Sequence, residues 1–368
     1  MAIAIQPYTP DLVPAVKALN SRLAAGGVVR EFHFPESSVP EWLPKLPGRR
    51  LYQEYFLAVE GEAVRGGYIV KYQDFWINGE NRPLAFYRLP LSEGIVNRAY
   101  TSVGVVMLRS ALARQPVMFA LGMGGMHNPL PQMLTALRWA LREVPFYFRV
   151  HHPGRFLRNI APLRRDAARR LLASLAALSG TGWLGIKAAQ RLRTRAISGL
   201  QVERIESFGS WADELWQRCA RNYFASAVRD SATLNLLYGE EKYLCVRVSR
   251  ASQLLGWAVV LDTQMRQNKY FGDLRLGSIA DCLAAPADAL AVIQGATEFL
   301  DQRGVDLIIS NQAHHAWSSA LRSSGYFTGP SNFIFAASQG LAKVLSPLEQ
   351  NFSQLHLNRG DGDGPINL

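Results

Sequence analysis

The stretch from Leu89 to Leu108 carries residue types that could support group transfer. Its first half is a short apolar segment that predicts a strand, and its second half has small and apolar residues at helical spacing. A helix that starts directly after a strand leaves its first backbone N–H groups unpaired, and this favours an anion there, most often a phosphate. The same pattern also fits an ordinary strand–turn–helix joint, so the flanking sequence has to decide between the two.

His127 is a second candidate for chemistry. It follows the apolar run at residues 117–122, which predicts a strand, and sites form where parallel strands end. An imidazole there could act as a base or orient an acceptor. A polar residue that starts the next helix, predicted at residues 131–141, is the alternative interpretation.

Composition limits the class of protein. The chain has 368 residues, of which 48% are hydrophobic and 19% charged, as in globular proteins of two or three domains. No apolar run is long enough for a spanning helix, and the N-terminus has no signal-peptide pattern. The three cysteines are Cys219, Cys245 and Cys282, and their spacing fits no metal site. We therefore expect a cytoplasmic protein without a metal.

The positive charge is concentrated in one segment. The formal net charge is +11, and residues 149–195 carry eleven Lys or Arg against a single acid, Asp166. Two helical patterns, at about residues 160–178 and 184–196, place these arginines around an apolar face. Such a segment, about residues 155–195, either makes peripheral contact with an anionic inner-membrane surface or packs as a linker with solvated arginines.

The order of predicted elements repeats along the chain. Each half reads as strand, helix, hairpin, strand, helix, strand, helix and strand. This predicts a mixed α/β protein of two similar domains, at residues 1–150 and 201–346, joined by a basic helical linker at 151–200 and followed by a flexible tail at 347–368. The first copy would end with a strand at residues 145–150, and the second with a strand at 332–337.

This order resembles the GNAT (GCN5-related N-acetyltransferase) fold in two tandem copies. The hairpin FLAVEGEAVRGGYIV at residues 56–70 looks like the family's second and third strands, and QLLGWAVV at 253–260 looks like its second copy. ALRSSGYF at residues 320–327 is similar to the family's last helix with its Gly-aromatic turn. The segment from Arg98 to Gly104 corresponds to the acyl-CoA loop, although the spacing of the family motif Gln/Arg-x-x-Gly-x-Gly/Ala is lost.

The resemblance implies an acyltransferase that uses acetyl-CoA or another acyl-CoA as co-substrate. It places the coenzyme in the first copy, because residues 281–289 of the second copy contain no glycine loop. Glu93 stands where the family often has its general base, and the transfer would be direct, to an amine or a hydroxyl. The residues that would hold the coenzyme or the thioester oxygen are Ile95, Val96, Asn97, Arg98, Tyr100, Thr101, Ser102, Val103 and Gly104.

Alternatives remain at this level. A lipid-linked or anionic acceptor from envelope or exopolysaccharide synthesis would suit the basic segment. The FemABX-like aminoacyl transferases also carry two GNAT-like copies, and there the basic segment would bind tRNA with strong salt dependence. A binding or scaffold protein that has lost transfer is the third possibility. The sequence does not determine the acceptor, the acyl length or the oligomeric state.

Overall fold

The chain divides into two compact units, each built from two separate segments. Unit 1 comprises Met1–Arg142 and Ile334–Glu349, and unit 2 comprises Glu143–Phe333 and Gln350–Leu368. The computed structural model describes residues 3–159 and 181–362. The predicted basic helix at residues 160–178 therefore lies outside the described residues, as does the end of the tail.

The first segment contains the elements that carry the predicted site. They are β1 (Ala4–Pro7), α1 (Val13–Ala25), β2 (Tyr52–Glu60), β3 (Ala63–Ile77), β4 (Glu80–Ser92), α2 (Val103–Arg114), β5 (Met118–Gly122), α3 (Pro129–Ala136) and β6 (Ala140–Glu143). The helix predicted at 131–141 is shorter in the structure, because α3 ends at Ala136 and β6 begins four residues later.

The remaining elements follow from residue 146 onward. They are β7 (Phe146–Val150), α4 (Pro153–Asn159), α5 (Thr181–Arg193), β8 (Leu200–Ile205), α6 (Ser210–Ala220), β9 (Ala225–Ala227), α7 (Ser231–Leu237), β10 (Leu244–Arg250), β11 (Gln253–Gln264), β12 (Arg275–Ala284), α8 (Ala289–Gln302), β13 (Leu307–Asn311), α9 (His315–Ser323), β14 (Phe327–Gly329), β15 (Ile334–Ala337), α10 (Gln339–Val344), α11 (Leu348–Asn351) and β16 (Leu355–His356).

Each unit contains one mixed sheet, and the two strand orders correspond. Unit 1 has the order β1-β2-β3-β4-β5-β15-β6, and unit 2 has β8-β10-β11-β12-β13-β7-β14. In each sheet the fourth and fifth strands are parallel, because a helix connects them, and the preceding strands are antiparallel. This confirms the predicted mixed α/β architecture of two similar domains.

Two strand assignments are corrected by the structure. β7, predicted to close the first copy, pairs with β13 and β14 in the sheet of unit 2. β15, predicted to close the second copy, pairs with β5 in the sheet of unit 1. Each half of the chain thus supplies the sixth strand of the other half's sheet, and the compact units are cut at different residues from the predicted domains.

In both units the fourth and fifth strands pair over only part of their length and then separate. The space between their separated ends is called the cleft of that unit. β4 and β5 pair only at Ala85↔Met118 and Phe86↔Phe119, and β12 and β13 pair as far as Ile279↔Ser310. A bulge accompanies each separation. In β4 it comprises Leu89, which has a φ of +44°, and Pro90, and in β12 it is Ala280.

The sheet of unit 1 is covered on both faces, which explains its nearly continuous apolar strands. α2 packs on one face against alternate strand residues such as Phe56, Ala58 and Tyr68. α1 packs on the other face against the intervening residues, such as Leu57 and Ile69. The connection from β4 to α2 is thus held between two packed layers, at the edge where the strands separate.

Candidate functional site

The connection from β4 to α2 consists of two short 3-10 turns, Glu93–Ile95 and Arg98–Tyr100. A polar side chain begins each turn. Ser92 Oγ accepts a hydrogen bond from Gly94 N at 3.0 Å, and Asn97 Oδ1 accepts one from Ala99 N at 3.1 Å. Serine and asparagine stabilise turns in this way because their short side chains mimic a backbone acceptor.

One glycine of this connection is required by space. A Cβ at Gly94 would lie 2.6 Å from the carbonyl oxygen of Tyr100, which no side chain tolerates. At Gly104 the nearest atom to such a Cβ would be Met133 Sδ at 3.4 Å, an ordinary contact. The glycine that shapes this loop is therefore Gly94, which the resemblance to the family motif did not indicate.

The start of α2 has the properties of an anion-binding helix terminus. Its N-cap residue, Ser102, makes no side-chain cap, and the first turn contains no acid. The N–H of Val105 donates to Ser102 O at 3.1 Å, which leaves the N–H groups of Val103 and Gly104 without a recorded acceptor in the described residues. The predicted coenzyme residues that are exposed are Ile95, Asn97, Arg98, Thr101 and Ser102; Val96, Tyr100 and Gly104 are partly buried, and Val103 is buried.

Glu93 is held by two arginines. Its Oε1 accepts a hydrogen bond from Arg22 Nε at 3.0 Å, and its Oε2 accepts from Arg22 Nη2 at 2.9 Å and from Arg65 Nη1 at 3.1 Å. Glu93 is 4% exposed, and the Arg65 guanidinium lies over the Tyr100 ring at 4.2 Å. Both carboxylate oxygens are thus engaged, and Glu93 could take a proton from an acceptor only if an ion pair opened.

The backbone near Glu93 is also engaged. The N–H groups of Val96 and Asn97 donate to the carbonyl oxygen of Glu93, at 3.0 and 2.8 Å. These N–H groups were predicted to hold the thioester oxygen, and in this conformation they close the turn instead. At the start of α2, the N–H groups of Val105 and Val106 donate to Ser102 O, and the N–H groups of Val103 and Gly104 have no recorded acceptor in the described residues.

His127 lies in an exposed loop beyond β5. Residues 122–125 of this loop all have positive φ values, between 65° and 116°, which suits its glycines and strains Met123. In the described residues, the backbone oxygen of His127 accepts from Gln132 Nε2 at 3.2 Å, and no recorded contact joins its ring to Glu93 or Arg98. Its catalytic role stays a prediction.

The corresponding cleft of unit 2 is filled by the chain itself. Residues 355–361 bridge the separating strands: Ala313 N, just beyond β13, donates to Leu357 O at 3.0 Å, and Asn358 Nδ2 donates to Asp281 Oδ1 of β12 at 2.8 Å. Leu357 and Asn358 are at most 3% exposed. The prediction of a flexible tail is therefore wrong for these residues.

A buried ionic network fixes this segment. Arg229 donates from Nε to Asp281 at 2.9 Å and from Nη2 to Asp361 at 2.9 Å, and Tyr238 Oη donates to Asp281 at 2.7 Å. Burial by itself would lower the pKa of Arg229, but the two carboxylates outweigh it and raise that pKa. Each charge is paired, which a fully buried network needs in order to be stable.

The geometry of Asn358–Asp361 explains why the tail is ordered. Asn358 Oδ1 accepts from Gly360 N and Asp361 Oδ2 accepts from Asn358 N, each at 2.9 Å, which makes a capping box. A Cβ at Gly360 would lie 2.4 Å from Tyr238 Oη. The Asn-x-Gly-Asp spacing was the available sequence signal, whereas its buried partner Arg229 lies 132 residues away from Asp361.

The helix that follows β12 also differs from α2. Its N-cap residue is an acid, Asp288, which makes no side-chain cap. A carboxylate at this position competes with any other anion for the positive end of the helix. Unit 2 therefore lacks an open helix start of the kind found in unit 1.

Two buried histidines lie near the same segment. Burial, and then His315, lower the pKa of His314 to about 4, and the ring Nδ1 accepts a hydrogen bond from Ala316 N. Burial, and then Arg229, lower the pKa of His356. Both rings are therefore neutral near pH 7, which fits a structural role for the polar cluster.

Within residues 3–159 and 181–362, no three His, Cys, Asp or Glu side chains form a group that could hold a metal ion. In the same residues, no helix is both long enough and apolar enough to cross a membrane. The second predicted basic helix is observed as α5, and the membrane contact expected for residues 155–195 stays a prediction.

No family model and no curated protein matches the sequence. Solved structures do match the fold. A probable N-acyltransferase of unknown function from Enterococcus faecalis has a TM-score of 0.52 and 8% identity, with 94% of this chain and 74% of that chain covered. N-myristoyltransferase from Saccharomyces cerevisiae, solved with bound myristoyl-CoA, has a TM-score of 0.51 and 10% identity, covering 91% and 82%.

A GCN5-related N-acetyltransferase from Anabaena variabilis matches with a TM-score of 0.51 and 8% identity, over 91% of this chain and 72% of that one. At such identities the likeness shows the fold alone, and that fold is GNAT-like. The aminoacyl-tRNA-dependent alternative is not addressed by these matches and stays a prediction.

Proposed function

We propose that this protein is an acyltransferase that moves an acyl group, in the first instance acetyl, from acyl-CoA to an amine or hydroxyl acceptor. The coenzyme would bind in the cleft of unit 1, with its pyrophosphate at the start of α2. Fold-level analogy alone would not justify this, because one fold hosts many functions. The support has to come from the site.

The observation that carries the proposal is the helix start at Val103. It follows a strand that has separated from its parallel neighbour, has no side-chain cap and contains no acid in its first turn. Arg98, which is exposed in the preceding turn, can pair with a phosphate oxygen. The equivalent position in unit 2 carries Asp288, and there the cleft is filled by residues 355–361.

These contacts indicate a separate role for each part of the site. The start of α2 and Arg98 would bind the phosphates, and the separated edge of β4 would receive the acyl-bearing arm. The Glu93 ion pairs join α1, β3 and the loop, and so fix the position of the loop relative to the sheet. Glu93 and His127 remain the predicted bases for removal of the acceptor's proton.

Calorimetric titration with acetyl-CoA tests the proposal. The wild-type protein is expected to bind one equivalent, and the double variant Arg98→Ala, Gly104→Trp should lose binding, because it removes a cation and obstructs the helix start. Lys17→Ala, an exposed cation of α1, is the matched control and should bind as the wild type does.

Each other outcome contradicts part of the proposal. Binding that survives in the double variant would place the coenzyme elsewhere. No binding of acetyl-CoA, or of a long-chain acyl-CoA tested in parallel, would overturn the function. A salt-dependent tRNA titration would then test the aminoacyl transferase alternative. The expected acceptor from envelope or exopolysaccharide synthesis stays a prediction.

A further inference from the structure

Helix α5 of unit 2 has an outer face that carries apolar side chains exposed to solvent. Leu184 and Leu192 are 60% and 88% exposed, and Ala188 between them is exposed as well. These three residues are spaced four apart, so they lie within about 80° of each other around the helix. Single exposed leucines are common, but apolar side chains that share one exposed face indicate an interaction surface.

The fold does not need these leucines, because the opposite face of α5 already holds the helix on unit 2. Ile186 packs against the apolar cluster that contains Val150 and Leu307, and Gln190 is 4% exposed. Just beyond the helix, Arg195 N donates to Ser323 O at 2.8 Å. Both faces of α5 thus carry apolar residues, and only the inner face is packed on the described part of unit 2.

The helices at this surface are basic. α4 packs beside α5, and neither Pro153–Asn159 nor Thr181–Arg193 contains an acid. Arg158 of α4 and Arg191 of α5 are exposed. Asp306, which faces α4 from the core side, is buried and pairs with Arg155 at 3.2 Å. The outer surface of the two helices therefore presents positive charge beside the exposed leucines.

A loop that adjoins α4 adds an aromatic residue and a further cation. It comprises residues 265–274, and a Cβ at Gly272 would lie only 2.7 Å from Asn159 O, so this loop contacts the end of α4. Tyr270 is 41% exposed, and Lys269 Nζ lies 4.9 Å from the centre of its ring. Tyrosine and lysine suit a boundary between water and an apolar phase, because each has an apolar body and a polar tip.

We propose that the outer face of α5, with Arg158 and the loop at residues 265–274, is a peripheral docking surface for an anionic lipid bilayer. α5 has 13 residues, whereas a spanning helix needs about 20, so the helix would lie in the plane of the bilayer surface. Leu184 and Leu192 would enter the boundary between headgroups and acyl chains, and the arginines would pair with lipid phosphates. The inference goes beyond the proposed function and does not depend on it.

An anionic bilayer is the occupant that suits both kinds of side chain. A nucleic acid would supply phosphates to the arginines and leave the two leucines in water. A second copy of this chain would bring two basic surfaces together, which repulsion between like charges opposes. A bilayer with anionic lipids offers negative charge at its surface and an apolar phase directly below it.

Vesicle flotation with the full chain tests the apolar part of the proposal. The wild type should bind vesicles of phosphatidylglycerol and phosphatidylcholine, and bind vesicles of phosphatidylcholine alone much more weakly. The double variant Leu184→Ser, Leu192→Ser should lower the partition coefficient for the anionic vesicles at least about tenfold, because it removes the side chains that enter the bilayer. Leu46→Ser is the matched control, since Leu46 is a 46% exposed leucine of unit 1, and it should bind as the wild type does.

Charge variants test the electrostatic part. The double variant Arg158→Gln, Arg191→Gln should lower the same partition coefficient about twentyfold, because each cation near an anionic surface contributes about fivefold. It should also reduce the dependence of binding on salt concentration. Arg221→Gln changes an exposed cation outside this surface and should have no effect. Circular dichroism checks that every variant keeps the native fold.

The proposal is overturned if the wild type does not bind anionic vesicles, or if Leu46→Ser weakens binding as much as the leucine double variant does. Loss of binding in the arginine variant alone, with tRNA bound equally well by the wild type and the leucine variant, would replace the bilayer by a nucleic acid. A wild-type dimer that the leucine substitutions dissociate would replace it by a second copy. Acetyl-CoA titration of the same variants should match the wild type, so the docking surface and the proposed function can fail independently.

Discussion

The clefts of units 1 and 2 arise from the same arrangement of separating parallel strands, but they differ in the residues at the helix start and in what fills them. In unit 1 the strand leads to a helix start free of acids, preceded by the exposed Arg98. In unit 2 the strand bears Asp281, Asp288 is the N-cap residue of the helix, and residues 355–361 bridge the strands. One cleft thus keeps a helix start free of acids, and the interior of the other is part of the fold.

The largest expected effect concerns the network that fills unit 2. Arg229→Ala removes a fully buried cation that pairs with the Asp281 and Asp361 carboxylates, so we expect a loss of about 3–5 kcal/mol in unfolding free energy. Urea denaturation measures it. Arg247→Ala, which breaks an exposed ion pair with Glu203, should change stability by less than about 1 kcal/mol. Equal effects of the two variants would contradict a structural role for the network.

A second prediction concerns the effect of His314, a neutral histidine beside residues 355–361, on the pH dependence of stability. Burial lowers the pKa of His314 to about 4, whereas the unfolded group titrates near 6.5. Between these values the unfolded chain binds a proton that the folded chain does not, so stability should fall by about 3 kcal/mol as pH drops from 6.5 to 4. Above pH 6.5 this group has no effect.

His314→Gln should reduce that pH dependence, and His356 contributes a remaining slope of the same sign. His315→Gln, which changes the exposed neighbour, should retain most of the slope. Urea unfolding at pH 7 and pH 4.5 gives the comparison. An unchanged slope in His314→Gln would show that this histidine is not held neutral by the fold.

The tail can also be tested through its glycine. In Gly360→Ala the new Cβ would lie 2.4 Å from Tyr238 Oη, so we expect a loss of about 2 kcal/mol in thermal or urea unfolding. Gly185→Ala is the matched control, since nothing lies within 4 Å of a Cβ there and the residue belongs to α5. It should be neutral or stabilise by about 0.5–1 kcal/mol. A neutral Gly360→Ala would contradict the close packing of the tail.

The smallest expected effect concerns the loop of unit 1. Glu93→Gln weakens two ion pairs whose arginines are partly exposed, so we expect a loss of about 1–2 kcal/mol and weaker acetyl-CoA binding through a less fixed loop. If Glu93 also acts as the base, the pH–rate profile should lose its acidic limb. Full activity with an unchanged profile would exclude both roles.

The sequence predicted what is locally encoded. The hairpin predicted at residues 56–70 forms between β2 and β3, because its apolar strands and its short turn are local. β7 and β15 were both recognised as strands, but their exchange depends on partners about 160 residues or more away in the chain. Periodicity describes which face a strand buries and carries no information about the sheet it joins.

For the same reason, the sequence predicted only the locally encoded part of the candidate site. The strand-to-helix joint was visible, whereas the partner Arg22 lies 71 residues from Glu93. The tail has the composition of a disordered terminus, and partners remote in sequence, such as Arg229 and Asp281, make it part of the core.

Hydrogen exchange in the presence and absence of acetyl-CoA tests most directly whether the two clefts differ in function. If acyl-CoA binds in unit 1, backbone amides at residues 98–106 should gain protection, and those at 284–292, at the start of α8, should not change. Protection at 284–292, or equal protection at both helix starts, would contradict the assignment of the coenzyme to unit 1.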